Sequence, residues 1–240
     1  MEIMKRLQFL LLAALSLMLS PWTLSAEEVS KTFEVTTDYR ALNVSGALTV
    51  TYSSEAKAVT VYADSQDIEN VEFKCEAATV TVALKSKKLL RFAKVASPVR
   101  VVIPVSSSLT ILNVTGASSF TSDAVVDVID LSLDVSGASS FKAEVSAIDM
   151  DVYVSGASSV DITGEAEEVS YNVSGASRVG SDDGCLKSDE AKVSVSGASR
   201  LWLEAEDSIS GHVSGASRVI YSGECNVSVG VTGASACNRK

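Results

Sequence analysis

The sequence predicts an all-β protein built as a right-handed parallel β-helix, with a more irregular β layer on its N-terminal side. A four-residue phrase, Val-Ser-Gly-Ala or Val-Thr-Gly-Ala, occurs eight times along the chain. Its last seven glycines follow one another at spacings of 21, 19, 19, 22, 18 and 18 residues, a period typical of solenoids. Before each phrase, apolar and polar residues alternate, as in a strand with one buried face.

The N-terminal residues predict a secretory signal peptide over residues 1–26. Lys5 and Arg6 precede an apolar run at 7–19, and Pro21 and a small-residue segment ending at Ala26 follow it. The run has 13 residues, fewer than the ~20 that span a bilayer. The alternative is a membrane anchor that stays uncut. We expect an exported protein with no integral membrane segment after cleavage, located in the periplasm, on the outer-membrane surface or outside the cell.

Residues 27–112 form the predicted N-terminal β-rich part. Short runs such as Leu-Thr-Val-Thr-Tyr and Val-Arg-Val-Val-Ile alternate with turn-forming pieces, which indicates strands. Only one copy of the phrase, at Gly46, lies here. We expect this part to start and cap the solenoid, because an uncapped end exposes strand edges to other chains. The basic stretch 84–94 is expected to be a loop or a short hairpin.

Residues 113–240 form the predicted β-helix, and each repeat of 18–22 residues supplies a strand, a sharp corner, a second strand and a looser return. Glycine fits the corner because it adopts positive φ at little cost. Parallel strands in successive layers lie ~4.8 Å apart, and their crossovers are right-handed. A left-handed helix of hexapeptides is the alternative, but the apolar positions do not recur every six residues. The phrase is therefore mainly structural.

A column of serines is predicted two residues after the corner glycines, where hydroxyls can bond to each other or to neighbouring backbone. Its members are Ser118, Ser139, Ser158, Ser177, Ser199, Ser217 and Ser235.

Composition and motifs favour binding over catalysis. The net charge of −10 argues against nucleic acid as a partner. His212 is the single histidine, and its offset from Gly215 indicates a surface position. The Gly-x-Ser-x-Gly motif of serine hydrolases is absent. The carboxylates between 182 and 190 indicate a solvated loop, with a calcium site as the alternative. We predict no catalytic residue, no metal and no cofactor.

Four cysteines, Cys75, Cys185, Cys225 and Cys237, allow disulfides in an oxidising compartment. Buried thiols are the favoured interpretation. If a bridge forms, Cys225–Cys237 is the best candidate, because end layers of a solenoid can distort to meet disulfide geometry.

One column departs from a purely structural pattern. The residues three positions after the corner glycines are Ser119, Ser140, Ser159, Arg178, Arg200 and Arg218. Three successive layers therefore place arginine in one column, and the guanidinium fork suits carboxylate, sulfate or phosphate. The alternative is a solvated face paired with nearby Glu or Asp. We predict Arg178, Arg200 and Arg218 as candidate ligand-binding residues, with an anionic glycan or a cell-surface protein as partner.

The order of segments resembles a bacterial family, the putative autotransporter adhesin head GIN domain. The resemblance rests on FEVTTDYRALNVSGALTVTY, PVRVVIPVSSSLTILNVTGAS, the repeated VSGAS and the terminal VIYSGECNVSVGVTGAS, and covers roughly residues 33–236. It implies a secreted or periplasmic β-helical protein and supplies no catalytic residues. Family members often show Ser-Gly-Ser-Gly or Ser-Gly-Ala-Gly, whereas serine fills the last place here.

These observations predict a secreted or periplasmic, non-catalytic, adhesin-like binding protein that presents stacked β-helix faces. One alternative is a carbohydrate-active β-helix enzyme, a polysaccharide lyase or hydrolase, because that fold hosts such activities. Another is a structural envelope component that self-associates.

Overall fold

The computed structural model describes residues 28–36, 38–85 and 98–240. Its nineteen strands belong to one continuous sheet, coiled into a β-solenoid of about 7 turns with an irregular N-terminal region. Within the described ranges, a single 3₁₀ turn at Ile68–Asn70 is the only helical segment. The predicted all-β parallel β-helix is thus confirmed. The predicted signal peptide, 1–26, and most of the basic stretch 84–94 lie outside the described residues.

The first nine strands build the N-terminal end of the stack. They are β1 (Glu28–Phe33), β2 (Ala41–Gly46), β3 (Leu48–Ser53), β4 (Val59–Asp64), β5 (Val71–Glu76), β6 (Thr79–Leu84), β7 (Val99–Pro104), β8 (Ile111–Gly116) and β9 (Ser119–Ser122). β2 and β3 form a coil around Gly46, and β8 and β9 stack on it in parallel. On its other side, β2 and β3 pair in parallel with β6 and β7.

The irregularity expected in this part is an antiparallel cap. β5 pairs antiparallel with β6, and β4 lies antiparallel between β1 and β7. The cap therefore covers the edges of the first layer on both of its strands. The boundary predicted between residues 112 and 113 falls inside β8, so both parts share one sheet.

The remaining strands carry the repeats, and every pairing among them is parallel. They are β10 (Val126–Asp127), β11 (Asp130–Val135), β12 (Ser140–Val154), β13 (Ser159–Val173), β14 (Arg178–Val179), β15 (Leu186–Val195), β16 (Arg200–Val213), β17 (Arg218–Ser222), β18 (Asn226–Val231) and β19 (Ala236–Arg239). In β12, β13 and β16 the return between the two faces is itself extended strand, where the sequence predicts a looser connection.

The corner glycines stack directly on one another. All seven from Gly116 to Gly233 have φ between 76° and 87°, the left-handed region that an L side chain rarely adopts. The N–H of the alanine after each glycine donates to the carbonyl of the glycine one layer before, at 2.7–2.8 Å. A Cβ on Gly156 would come within 3.0 Å of the Gly137 carbonyl oxygen. The corner therefore requires glycine for both its conformation and its close approach.

Inside the coil, apolar side chains and serine hydroxyls form separate columns. The rings of Phe120 and Phe141 stack with centroids 5.1 Å apart, and both are fully buried. The serine column is buried from Ser118 to Ser217. In Ser139 and Ser177, for example, the hydroxyl donates to the carbonyl three residues earlier at 2.8 Å. The serines are predicted to bond either to each other or to neighbouring backbone, and these hydroxyls bond to backbone carbonyls.

Candidate ligand-binding face

The three predicted arginines do lie in one column on consecutive layers. Arg178 pairs in register with Arg200, and Arg200 pairs with Arg218. Their backbone N–H groups donate to the serine carbonyls of the preceding layer at 2.9 Å, which fixes the register. Because adjacent strands lie ~4.8 Å apart, the three side chains start within about 10 Å along the solenoid axis. All three are exposed, and we call them the arginine column.

The three arginines differ in their partners. Arg178 lies 3.5 Å from Asp161 Oδ1, and its guanidinium sits 5.7 Å from the centroid of the Trp202 ring. Arg200 and Arg218 form no ion pair with any residue in the described ranges. The alternative interpretation, a solvated arginine paired with a nearby Asp or Glu, therefore applies to Arg178 and not to the other two. The other two guanidinium groups have no carboxylate within ion-pair distance among the described residues.

A hairpin loop at residues 181–184 interrupts the regular coil beside this column. β14 ends at Val179, and Gly180 turns outward with φ of 72°. The loop, closed by a bridge between Ser181 and Gly184, covers the outward face of Trp202. The indole Nε1–H donates to Asp182 Oδ1 at 3.1 Å, and the side chain is only 8% exposed. The loop therefore turns an outward strand position into a buried aromatic one.

Trp202 is not among the residues predicted from the sequence, although two signals point to it. It stands five residues after Gly197, at an outward strand position, and it follows the longest repeat of 22 residues. A large aromatic ring at an outward position next to an insertion indicates that the insertion covers it.

The same loop lines a half-open cavity of about 280 Å³ together with β16, β17 and Lys240. Lys187 lies 3.6 Å from Glu204 Oε1, and Lys240 Nζ donates to the backbone carbonyl of Asp182 at 2.7 Å. Cys185 lines the cavity too, and burial raises the pKa of its thiol. Trp202 contacts both the cavity and Arg178, so the arginine column and the cavity are neighbours on one face.

Acidic residues gather on the other strand of each coil. Asp130, Asp149, Glu168 and Glu190 pair in register on four consecutive layers, and all are exposed. Lys192 Nζ lies 3.6 Å from one Glu168 oxygen. An acidic column thus lies before the corner and the arginine column after it, although Asp161 and Glu204 place single carboxylates on the strands after the corner as well. An anion is repelled from the first strand and attracted to the second.

Three other predicted sites are placed by the structure. His212 is exposed, as expected, with Nε2 3.2 Å from the Thr232 hydroxyl oxygen. Cys225 and Cys237 are free and half-buried, and burial, followed by proximity to Cys225, raises the pKa of Cys237. Their disulfide stays a prediction. Across the described residues, no three His, Cys, Asp or Glu side chains converge as a metal ion would require, and this holds for the loop at 182–190.

A family model described as "Putative auto-transporter adhesin, head GIN domain" matches residues 38–225. Solved structures share the fold. A putative adhesin from Bacteroides fragilis is 16% identical with a TM-score of 0.79, covering 90% of this chain and 98% of its own. A putative adhesin from Parabacteroides distasonis is 20% identical, with a TM-score of 0.69 and coverages of 90% and 98%.

A further structure, named as a putative lipid binding protein from Parabacteroides distasonis, is 16% identical with a TM-score of 0.67 and coverages of 90% and 98%. The comparison with curated proteins gives no match. Within the described ranges, no helix has the length and hydropathy that a membrane crossing demands.

Proposed function

Because the chain belongs to the auto-transporter adhesin head GIN domain family, we propose that it is an exported, non-catalytic, adhesin-like protein that binds an anionic glycan through the arginine column. The observation that carries the proposal is the alignment of Arg178, Arg200 and Arg218, two of which have no acidic partner in the described structure. The adhesin names of the similar solved structures support the same general role.

The electrostatics favour a ligand with several charges. One exposed ion pair contributes only about 0–1 kcal/mol, so a single anion on one guanidinium binds weakly. The unpaired forks of Arg200 and Arg218, together with Arg178 in the next layer, engage several anionic groups at once, and linked contacts multiply their affinities. An anionic glycan carries charged groups on several of its sugars, whereas a free phosphate ion is a single anionic group. The neighbouring acidic column limits the approach of the ligand to the arginine side.

Binding to an array of anionic and neutral glycans tests the proposal. The purified protein should bind anionic members selectively, and Arg200→Ala should remove most of the signal. The matched control is Lys192→Ala, which deletes the same charge from the acidic strand, where Lys192 pairs with Glu168. Equal loss in both variants, or retention of the signal in Arg200→Ala, contradicts the proposed site.

Export and the absence of catalysis have separate tests. Cell fractionation followed by N-terminal sequencing should find an exported chain that begins near Ala26 or Glu27. Incubation with acidic polysaccharides should release no reducing ends. Their release would instead support the carbohydrate-active enzyme, because each cleaved glycosidic bond creates one reducing end.

A further inference from the structure

Resting on the proposed function, we infer that the ligand is a linear polysaccharide with an anionic group on successive sugars, bound along the solenoid axis across three layers. Its anionic groups lie on Arg178, Arg200 and Arg218, one for each layer. The class of ligand thus follows from the direction in which the arginines repeat, which is the solenoid axis.

The direction in which the ligand lies is determined by the residues on either side of each arginine within its own layer. On the corner side of Arg200 stands Ala198, which carries no charge, and on the other side stands Trp202, which the hairpin loop covers. Arg218 has Ala216 and Ile220 in the same places. A ligand that crosses the strands along the axis meets a guanidinium in each layer. A ligand that follows one strand meets only one guanidinium.

The spacing is set by the sheet. The interlayer hydrogen bonds from the N–H groups of Arg200 and Arg218 hold the column at the strand spacing of ~4.8 Å. A polyuronate carries one carboxylate on every sugar, so a short segment lying along the axis supplies several carboxylates over the length of the column, within reach of the long, exposed arginine side chains. The half-buried side chain of Ile220 lies beside Arg218 and offers an apolar surface to the C–H face of a sugar ring.

The column also has two defined ends, which limits the length of the bound segment. The next residue beyond Arg178 is Ser159, and the next beyond Arg218 is Ala236. Asp161 lies at the Arg178 end, where its carboxylate repels further anionic groups. The site therefore holds three charged sugars, and additional sugars gain no guanidinium contact.

Calorimetric titration with sized oligogalacturonates tests this geometry. Affinity should rise roughly tenfold or more from galacturonic acid to the trimer, because linked groups bind as one unit. It should change little from the trimer to the hexamer. Methyl-esterified polygalacturonate keeps the backbone but lacks the charges, and should not bind. Dextran sulfate, as a second arm, reveals whether the column prefers sulfate to carboxylate.

Variants separate the two levels of the proposal. Arg200→Ala breaks the middle of the column and should lower trimer affinity at least tenfold, whereas Lys192→Ala should leave it unchanged. If monomer and trimer bind equally and Arg200→Ala weakens both, the axial arrangement is overturned while the anionic site stands. If neither polyanion binds, or the esterified polymer binds as well as the acidic one, the axial proposal is overturned too. Absence of any Arg200-dependent anion binding removes the proposed function as well.

Discussion

Replacing Gly156 by alanine in the middle of the corner column should destabilise the protein by at least about 2 kcal/mol. At the observed φ of 77°, a side chain costs about 1 kcal/mol or more relative to glycine. The new Cβ would come within 3.0 Å of the Gly137 carbonyl oxygen, which accepts the Ala157 N–H bond at 2.8 Å. Moving that oxygen away weakens a hydrogen bond with a net value of about 1 kcal/mol. The sum is a lower bound, since neighbouring layers must shift as well.

Urea denaturation followed by circular dichroism measures the effect, with Gly184→Ala as the matched control. Gly184 has no positive φ, and the nearest atom to its added Cβ is the Thr163 Cγ2 methyl at 3.2 Å, which can move. We expect the control to stay within about 1 kcal/mol of the native protein. If both variants unfold at the same urea concentration, the corners do not stack as the structure shows, and the arginine column loses its basis.

Two further predictions concern buried hydroxyls. Ser177→Ala should cost about 1 kcal/mol in urea denaturation, because it removes the bond to the Ser174 carbonyl at 2.8 Å, whereas the exposed Ser194→Ala should cost less than about 0.5 kcal/mol. Burial raises the pKa of Tyr171 above its ordinary 10.0, so the folded state keeps this proton where the unfolded state releases it. Stability is therefore complete below pH 10 and falls as the pH rises further. Tyr171→Phe should reduce the drop in Tm between pH 8 and pH 11, and an equal drop in both proteins would contradict this assignment.

The regular part of the fold could be predicted because every layer repeats the same local requirement. Glycine at positive φ, a small buried serine and alternating apolar residues recur together, so the register of the stack follows from counting. The order of the layers at the N-terminal end could not be predicted from repeat spacing. There the chain forms the coil of β2 and β3 first, adds β6 and β7 on one side and then continues with β8 on the other. Long-range pairing decides that order, and single strands carry no local signal for it.

The arginine column was predictable and its partners were not. Residues at the same offset from the corner meet in register, so Arg178, Arg200 and Arg218 had to align once the stack formed. The pairing of Arg178 with Asp161 and Trp202 depends on side-chain direction across layers, which the repeat does not encode. The hairpin loop at 181–184 is likewise a single event in the chain, visible in sequence only as a longer repeat.

A perfectly regular solenoid presents the same residue at every layer. It can therefore bind a periodic ligand, but it cannot determine at which layers that ligand binds. Selection requires an irregularity, and this chain has one beside the arginine column, where the hairpin loop covers Trp202. The loop belongs to the first layer with an arginine, because it follows Arg178, whose in-register neighbour in the preceding layer is Ser159. If the loop fixes the position of a bound polyanion, removing the Trp202–Asp182 hydrogen bond with Trp202→Phe, which leaves the net charge unchanged, should weaken binding of the acidic trimer, while the affinity of galacturonic acid stays unchanged.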